Sequence, residues 1–82
     1  MMRFSYSKRF VRQYAEAPVE IRKAFDKQSR FLLAGLSYPS LHAKKYDETR
    51  GIWQARVNRD WRFYFTIEGD AYHFQGITPH PK

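Results

Sequence analysis

The sequence predicts an α+β fold: an N-terminal strand and a helical hairpin packed on one face of a four-stranded, largely antiparallel sheet. Three observations carry that expectation. Residues 51–68 form two arms of period-two alternation around a turn. Gly69-Asp70 is a two-residue hairpin signal. Residues 18–35 place apolar side chains at helical spacing.

Met2 to Tyr6 alternates and reads as a short first strand. Ser7 suits an N-cap, because its hydroxyl can accept from an unpaired N–H of the first turn. A helix follows from Lys8 to Tyr14, with Phe10, Val11 and Tyr14 on one side. After a break at Ala15-Glu16-Ala17, Pro18 opens a second helix. Its apolar stripe is Ile21, Ala24, Phe25, Gln28 and Leu32; Glu20, Arg22, Lys23, Asp26, Lys27 and Arg30 lie opposite. Gly35 stops it. Leu36 to Leu41 reads as a loop broken by Pro39, Ala43 to Tyr46 as a short strand, and Asp47 to Arg50 as a turn.

The central hairpin turns at Asn58, Arg59 and Asp60, all compatible with a tight reversal. Val57 then faces Trp61 and Arg56 faces Arg62. Trp53, Ala55, Val57, Trp61, Phe63, Phe65 and Ile67 share an apolar face, while Gln54, Arg56, Arg62, Tyr64 and Thr66 share the other. Turning at Gly69-Asp70 adds Tyr72 and Phe74 to the first face and His73 and Gln75 to the second. The same register pairs Tyr64 with Gln75 and Arg62 with Ile77. Helices that cover the apolar face leave the polar one open, with Arg62 exposed upon it.

Residues 1–82 make one domain, since the chain is too short for two cores. At 43% hydrophobic and 18% aromatic it can fill a core rather than remain disordered. Fifteen Lys and Arg against eight Asp and Glu give a net charge of +7, which favours nucleic acid or an acidic protein as partner. No apolar run approaches the ~20 residues a spanning helix requires, and the N-terminus has no long apolar secretory stretch. The absence of cysteine removes disulfides, thiolate metal sites and thiol catalysis. A cytoplasmic protein without membrane association is expected.

Like charges directly opposite on a sheet repel, so the Arg56–Arg62 pair points to an anion between them, unless both simply splay into solvent. His42, His73 and His80 show no metal-ligand spacing, and neither a glycine-rich phosphate loop nor a nucleophile elbow is present. What remains is a metal-free and cofactor-free set of Arg, Lys, His and Tyr, which suits RNA cleavage by the 2′-hydroxyl. That reaction needs a base, cations for the pentavalent phosphorane and an acid for the leaving 5′-oxygen. Arginine binds two phosphoryl oxygens with its planar fork. Histidine transfers protons near neutral pH. A lysine accepts a proton only where its surroundings favour the neutral form, and Lys44 and Lys45 stand beside this face. Each candidate has a plainer reading. His73 can be an ordinary surface residue, His80 a frayed tail, Lys44 and Lys45 a docking patch for an acidic partner. Tyr46 and Tyr64 can be simple packing instead of stacking on a base.

Three segments, taken in order, resemble the RelE/ParE superfamily of bacterial toxins: Pro39-Ser40-Leu41-His42-Ala43-Lys44-Lys45-Tyr46, Gly51-Ile52-Trp53-Gln54-Ala55-Arg56-Val57 and Asp60-Trp61-Arg62-Phe63-Tyr64-Phe65. They follow the family's Leu-x-x-Lys stretch, Trp-x-x-Arg-Val strand and aromatic-Arg-x-x-aromatic strand, and the resemblance spans nearly the whole chain. It implies a ribosome-dependent mRNA interferase of the RelE/YoeB-like branch, held in a hetero-oligomer by a cognate antitoxin and acting on the ribosome and mRNA. Arg62 matches the family arginine that binds the scissile phosphate, and Arg56 the arginine ending the preceding strand. Lys44 and Lys45 match the basic stretch that supplies a base or RNA contacts. His80 falls where YoeB-like members carry a catalytic histidine. The expected catalytic set is therefore Arg62, His80, Lys45 and Arg56, with RNA contacts from Lys44, Tyr46, Tyr64, His42, Gln54, His73 and Lys82. Pro81 stands where a tyrosine commonly follows that histidine, and the sequence ends at Lys82 without the C-terminal helix of RelE itself. The ParE branch keeps the fold but poisons DNA gyrase. Two functions thus stay open: a metal-independent endoribonuclease, or a toxin-like binding protein without nuclease chemistry, whether gyrase poison or inactive relative.

Overall fold

Phe25 of the second helix meets Phe63 and Phe74 of two neighbouring strands, with ring centroids 5.1 and 5.2 Å apart. This contact joins the layers in the computed structural model, which describes residues 2–81. The elements run β1 (Arg3–Tyr6), α1 (Lys8–Glu16), α2 (Val19–Ala34), a 3₁₀ turn (Pro39–Leu41), β2 (Lys44–Asp47), β3 (Ile52–Arg56), β4 (Trp61–Glu68) and β5 (Ala71–Pro79). The strands form one sheet in the order β1-β5-β4-β3-β2. Five strands pair rather than four, because Lys44–Asp47 hydrogen-bonds along β3. β1 lies parallel to β5, from Arg3 opposite Ala71 to Tyr6 opposite Phe74; the other pairs are antiparallel.

Local chemistry explains the helices. The Ser7 hydroxyl accepts from the Phe10 N–H at 3.0 Å and caps α1. At its other end Arg22 Nη1 donates to the carbonyls of Ala15 and Ala17, which the helix leaves without partners. α2 buries Ile21, Phe25, Gln28, Ser29 and Leu32, the expected stripe with Ser29 added and Ala24 only half-buried. Phe63, Phe65, Phe74, Leu32, Leu41 and Ile77 are the largest fully buried side chains. Burying a large apolar side chain stabilises by about 1.5–3 kcal/mol, so this cluster is the main cohesive element.

α1 also closes an edge. β1 stops pairing at Tyr6, and beyond that point the Gln13 side chain takes the Ile77 N–H at 2.9 Å. The Arg3 guanidinium bonds Asp70 Oδ1 at 3.0 Å and ties β1 to the β4–β5 turn. Arg3 holds the Asp70 carboxyl below its ordinary value by that hydrogen bond and by its charge.

The expected register holds for Arg56 opposite Arg62 and for Phe65 opposite Phe74. It fails one step later. Tyr64 pairs with Gly76 instead of Gln75, and Arg62 with Thr78 instead of Ile77. An extra residue in β5, Gln75, forms a β-bulge there. A bulge reverses the facing of every residue beyond it, which sends Ile77 into the core at 1% exposure. Without the bulge Ile77 would lie on the open face.

Candidate active site

The β3–β4 turn is built by Asn58, whose side-chain oxygen accepts from the N–H groups of Asp60 and Trp61, each at 2.9 Å. The turn in turn holds two residues of the open face. Arg62 Nη1 donates to the carbonyls of Asn58, Arg59 and Trp61 at 2.9, 3.1 and 3.0 Å. The His80 N–H donates to the carbonyl of Asp60 at 2.7 Å. The residue after β5 is therefore anchored by its backbone and does not hang as a loose tail.

Arg62 is on the open face, but the expectation that it is exposed is corrected: the folded-back turn leaves it only 8% accessible. All three of its bonds come from Nη1. Nε and Nη2 make no bond to protein among the described residues, so they are the part of the fork that an anion can meet.

A cleft of about 430 Å³ is lined by His42, Ala43, Lys44, Gln54, Arg56, Arg62 and His80. It gathers imidazole, ammonium, amide and guanidinium groups from separate parts of the chain, and among the described residues no carboxylate lines it. Among the described residues the ion pairs are Arg3–Asp70 and Arg50–Asp47, neither of them here. A cleft walled by unpaired cations of one sign concentrates anions. Phosphate is one of the anions whose oxygens match the arginine fork.

Each wall has a structural cause. Leu41 is fully buried and fixes the segment before β2, and His42 then adopts a left-handed conformation at φ 46°. That makes it the one non-glycine with positive φ among the described residues, a conformation uncommon outside turns and functional sites. Gln28 of α2 lies beneath the floor. Its amide nitrogen donates to the carbonyls of Ser40 and Arg56 at 3.0 and 2.8 Å, and its oxygen accepts from the Ser40 hydroxyl at 3.0 Å. One buried amide thus joins the ends of the two segments that carry His42 and Arg56. Read as part of an apolar stripe, Gln28 gave no sign of this; a polar residue in such a stripe is the signal that was present.

The sequence-predicted residues divide into several groups. Arg62, Arg56, His80, Lys44, His42 and Gln54 converge in the cleft. Lys45 does not. It pairs with Trp53, and its ammonium lies 5.1 Å from the Trp53 ring, on the side of the sheet away from Arg62. The alternation of β2 makes Lys44 the lysine of the cleft. Tyr46 and Tyr64 meet in a neighbouring cleft, their rings 5.0 Å apart. His73 is bonded through Nδ1 to the Ser5 hydroxyl at 2.6 Å, at the β1 end of the sheet, and joins neither cleft. Lys82 lies outside the described residues. No group of three or more potential ligands for a metal ion occurs among the described residues.

No protein-family model matches the sequence, and no curated protein is significantly similar to it. Solved structures are similar in fold. YafQ from Escherichia coli strain BL21(DE3) superposes with a TM-score of 0.78 at 15% identity, over 98% of this chain and 94% of that one. The YoeB dimer from Staphylococcus aureus gives 0.81 at 13% identity, over 98% of each chain. The RelB–RelE antitoxin–toxin complex from Methanococcus jannaschii gives 0.73 at 21% identity, covering 92% and 88%. The two helices and the mixed sheet are thus arranged as in RelE-, YoeB- and YafQ-type toxins.

Proposed function

We propose that this chain is the toxin of a type II toxin–antitoxin pair and cleaves ribosome-bound mRNA in the cytoplasm without a metal ion. The convergence of Arg56, Arg62, Lys44 and His80 in one cleft, with no carboxylate among its described lining residues, carries this reading. The fold shared with YafQ and YoeB supports it, as does the net charge of +7.

The chemistry follows from the positions. Arg62, with Nε and Nη2 available, and Arg56 opposite it take the non-bridging oxygens of the scissile phosphate. Lys44 takes the proton of the 2′-hydroxyl. The 2′-oxygen attacks phosphorus, and the P–O5′ bond breaks as His80 gives its proton to the leaving 5′-oxygen. The products are a 2′,3′-cyclic phosphate and a 5′-hydroxyl. Fixed cations aimed at the charge that develops on a phosphorane supply the largest part of such catalysis, and the acid and base add about 10² to 10⁴-fold. The antitoxin is an acidic or amphipathic segment that covers the basic open face.

Pro81, in place of the tyrosine of the family pattern, favours the second reading, a binding protein without nuclease chemistry. Primer extension on translated mRNA after brief induction, run beside a gyrase supercoiling assay, separates the two. New 5′-ends in coding sequence, with growth arrest relieved by the adjacent gene, are expected. Loss of supercoiling with intact mRNA would establish the gyrase-poison reading. Unchanged growth at high expression would remove both toxin readings.

A further inference from the structure

Beside the cleft at Arg62 lies a second one of about 340 Å³, walled by Arg9, Tyr46, Asp47, Arg50, Tyr64 and Gln75. We propose that it is a second nucleotide subsite, which takes the base and phosphate of the nucleotide next to the one held at Arg62. The proposal rests on the RNA reading above and adds residues from α1 and from the β2–β3 turn that the cleavage chemistry does not use.

Four observations build it. The first is the aromatic pair. Tyr46 is 61% exposed, an uncommon state for so large a ring, and it meets Tyr64 at an interplanar angle of 64°. In such a T-shaped pair one ring points its edge at the other's face and keeps both of its own faces uncovered by its partner. An unstacked base of single-stranded RNA occupies that kind of surface.

The second is charge. The Arg9 side chain makes no ion pair or hydrogen bond among the described residues. Arg50 reaches Asp47 only at 3.8 Å, with its side chain 78% exposed, an arrangement of little worth in solvent. A phosphate competes readily for both. Asp47 at the same cleft disfavours a second phosphate beside the first and leaves room for one.

The third is the floor. The bulge at Gln75 turns Gln75 and Gly76 together toward this cleft. Gly76 has no side chain to fill it, and a β-carbon there would come within 3.1 Å of Gln13 Oε1. Gln75 bonds Thr66 Oγ1 at 3.3 Å through its amide nitrogen, which leaves the amide oxygen to accept from the edge of a base.

The fourth is the spacing. The clefts share one wall, the Gln54–Tyr64 pair, in which Gln54 Nε2 donates to the Tyr64 hydroxyl at 3.2 Å. Gln54 and Tyr64 are each two residues along their strands from the Arg56–Arg62 pair. Two residues of strand advance about 7 Å, a step that one nucleotide of an extended strand bridges.

The test is an NMR titration of the whole chain with a trinucleotide blocked by 2′-O-methyl groups, so that it binds without being cleaved. The wild type, Arg9→Ala/Arg50→Ala and Tyr46→Ala are compared at several salt concentrations. The wild type is expected to show ring-current shifts at Tyr46 and Tyr64 together with shifts at Arg62 and His80. Tyr46→Ala should weaken binding on the order of tenfold. The double arginine variant should weaken it and lower the salt slope by about 0.7 for each phosphate no longer neutralised. Shifts confined to the Arg62 and His80 cleft, with unchanged affinity in both variants, would overturn the second subsite and leave the RNA reading intact. No shift in either cleft would overturn both.

Discussion

The backbone N–H of His80 donates to the carbonyl of Asp60 at 2.7 Å, so the residue that follows the last strand is fastened to the turn that also anchors Arg62. The proposed acid and the proposed phosphate clamp are thereby fixed to one turn. His80→Ala keeps this backbone bond and removes only the ring. Cleavage should fall by about 10² to 10⁴-fold with the melting temperature and antitoxin binding preserved. Deletion of residues 80–82 removes the bond as well and should lower the melting temperature. Cleavage within threefold of wild type in His80→Ala would move the acid elsewhere.

Arg62→Ala should abolish cleavage by ~100-fold or more and, in addition, destabilise the protein. The carbonyls of Asn58 and Arg59 lose the guanidinium donor, that of Trp61 keeps the Val57 N–H, and a nearly buried side chain leaves a gap. A cost of about 1–3 kcal/mol is expected in urea denaturation. Arg62→Lys should also be inactive, because a point charge cannot bond the turn and an anion together. A fully stable Arg62→Ala would show that the turn does not depend on the guanidinium.

Lys44 and Lys45 offer an internal control, being adjacent residues on opposite sides of β2. Lys44→Ala should reduce cleavage by about 10² to 10⁴-fold. Lys45→Ala should leave it within a few-fold and cost about 0.5–1 kcal/mol by removing the cation–π interaction with Trp53. The reverse ranking in single-turnover assays would exchange their roles.

Gln28→Leu keeps the side chain's bulk and removes its hydrogen bonds. The carbonyls of Ser40 and Arg56 then lose their shared donor, at about 1–3 kcal/mol. Both walls of the cleft should loosen, so hydrogen exchange should quicken near His42 and Arg56 and activity should fall. Unaltered exchange at those positions would show that other interactions hold the cleft.

The Arg3–Asp70 bridge should give a signed pH dependence. Arg3 holds the Asp70 carboxyl below its ordinary value, so the unfolded chain binds the proton more readily. The bridge therefore contributes fully above the unfolded value and is lost as pH falls through the folded one. Both side chains are exposed, at 73% and 60%, so the effect is small. The melting temperature of Asp70→Asn should lie below wild type at neutral pH and converge with it in acid. A gap of constant size across that range would assign the loss to something other than the charge.

The faces of the sheet were legible because alternation is a local property: Phe63 and Phe65 against Arg62 and Tyr64 needed only a period of two and one turn. The opposition of Arg56 and Arg62 followed from three turn residues. The bulge was not legible, since an inserted residue leaves no periodic mark, and Gly76 alone does not distinguish it from a plain strand. It displaced the register beyond Phe74 and so misplaced the partners of Tyr64 and Arg62. The burial of Arg62 was hidden for another reason. It depends on carbonyls of the turn folding back over the side chain, a geometry that pattern does not encode. The separation of Lys44 from Lys45 was within reach of alternation, but only once pairing of the short basic segment with β3 set its phase.

The parallel pairing of β1 with β5 has a consequence for synthesis. Ser5 and His73, bonded at 2.6 Å, are 68 positions apart in sequence. The first strand made must wait for the last, and such distant pairings form slowly because nearly the whole chain must close into a loop first. Arg56 and Arg62 emerge from the translating ribosome before His80 does. A nascent chain can therefore present the two guanidinium groups of the cleft before the imidazole that lies beside them, and the cleft is assembled only after β5 has been made and paired.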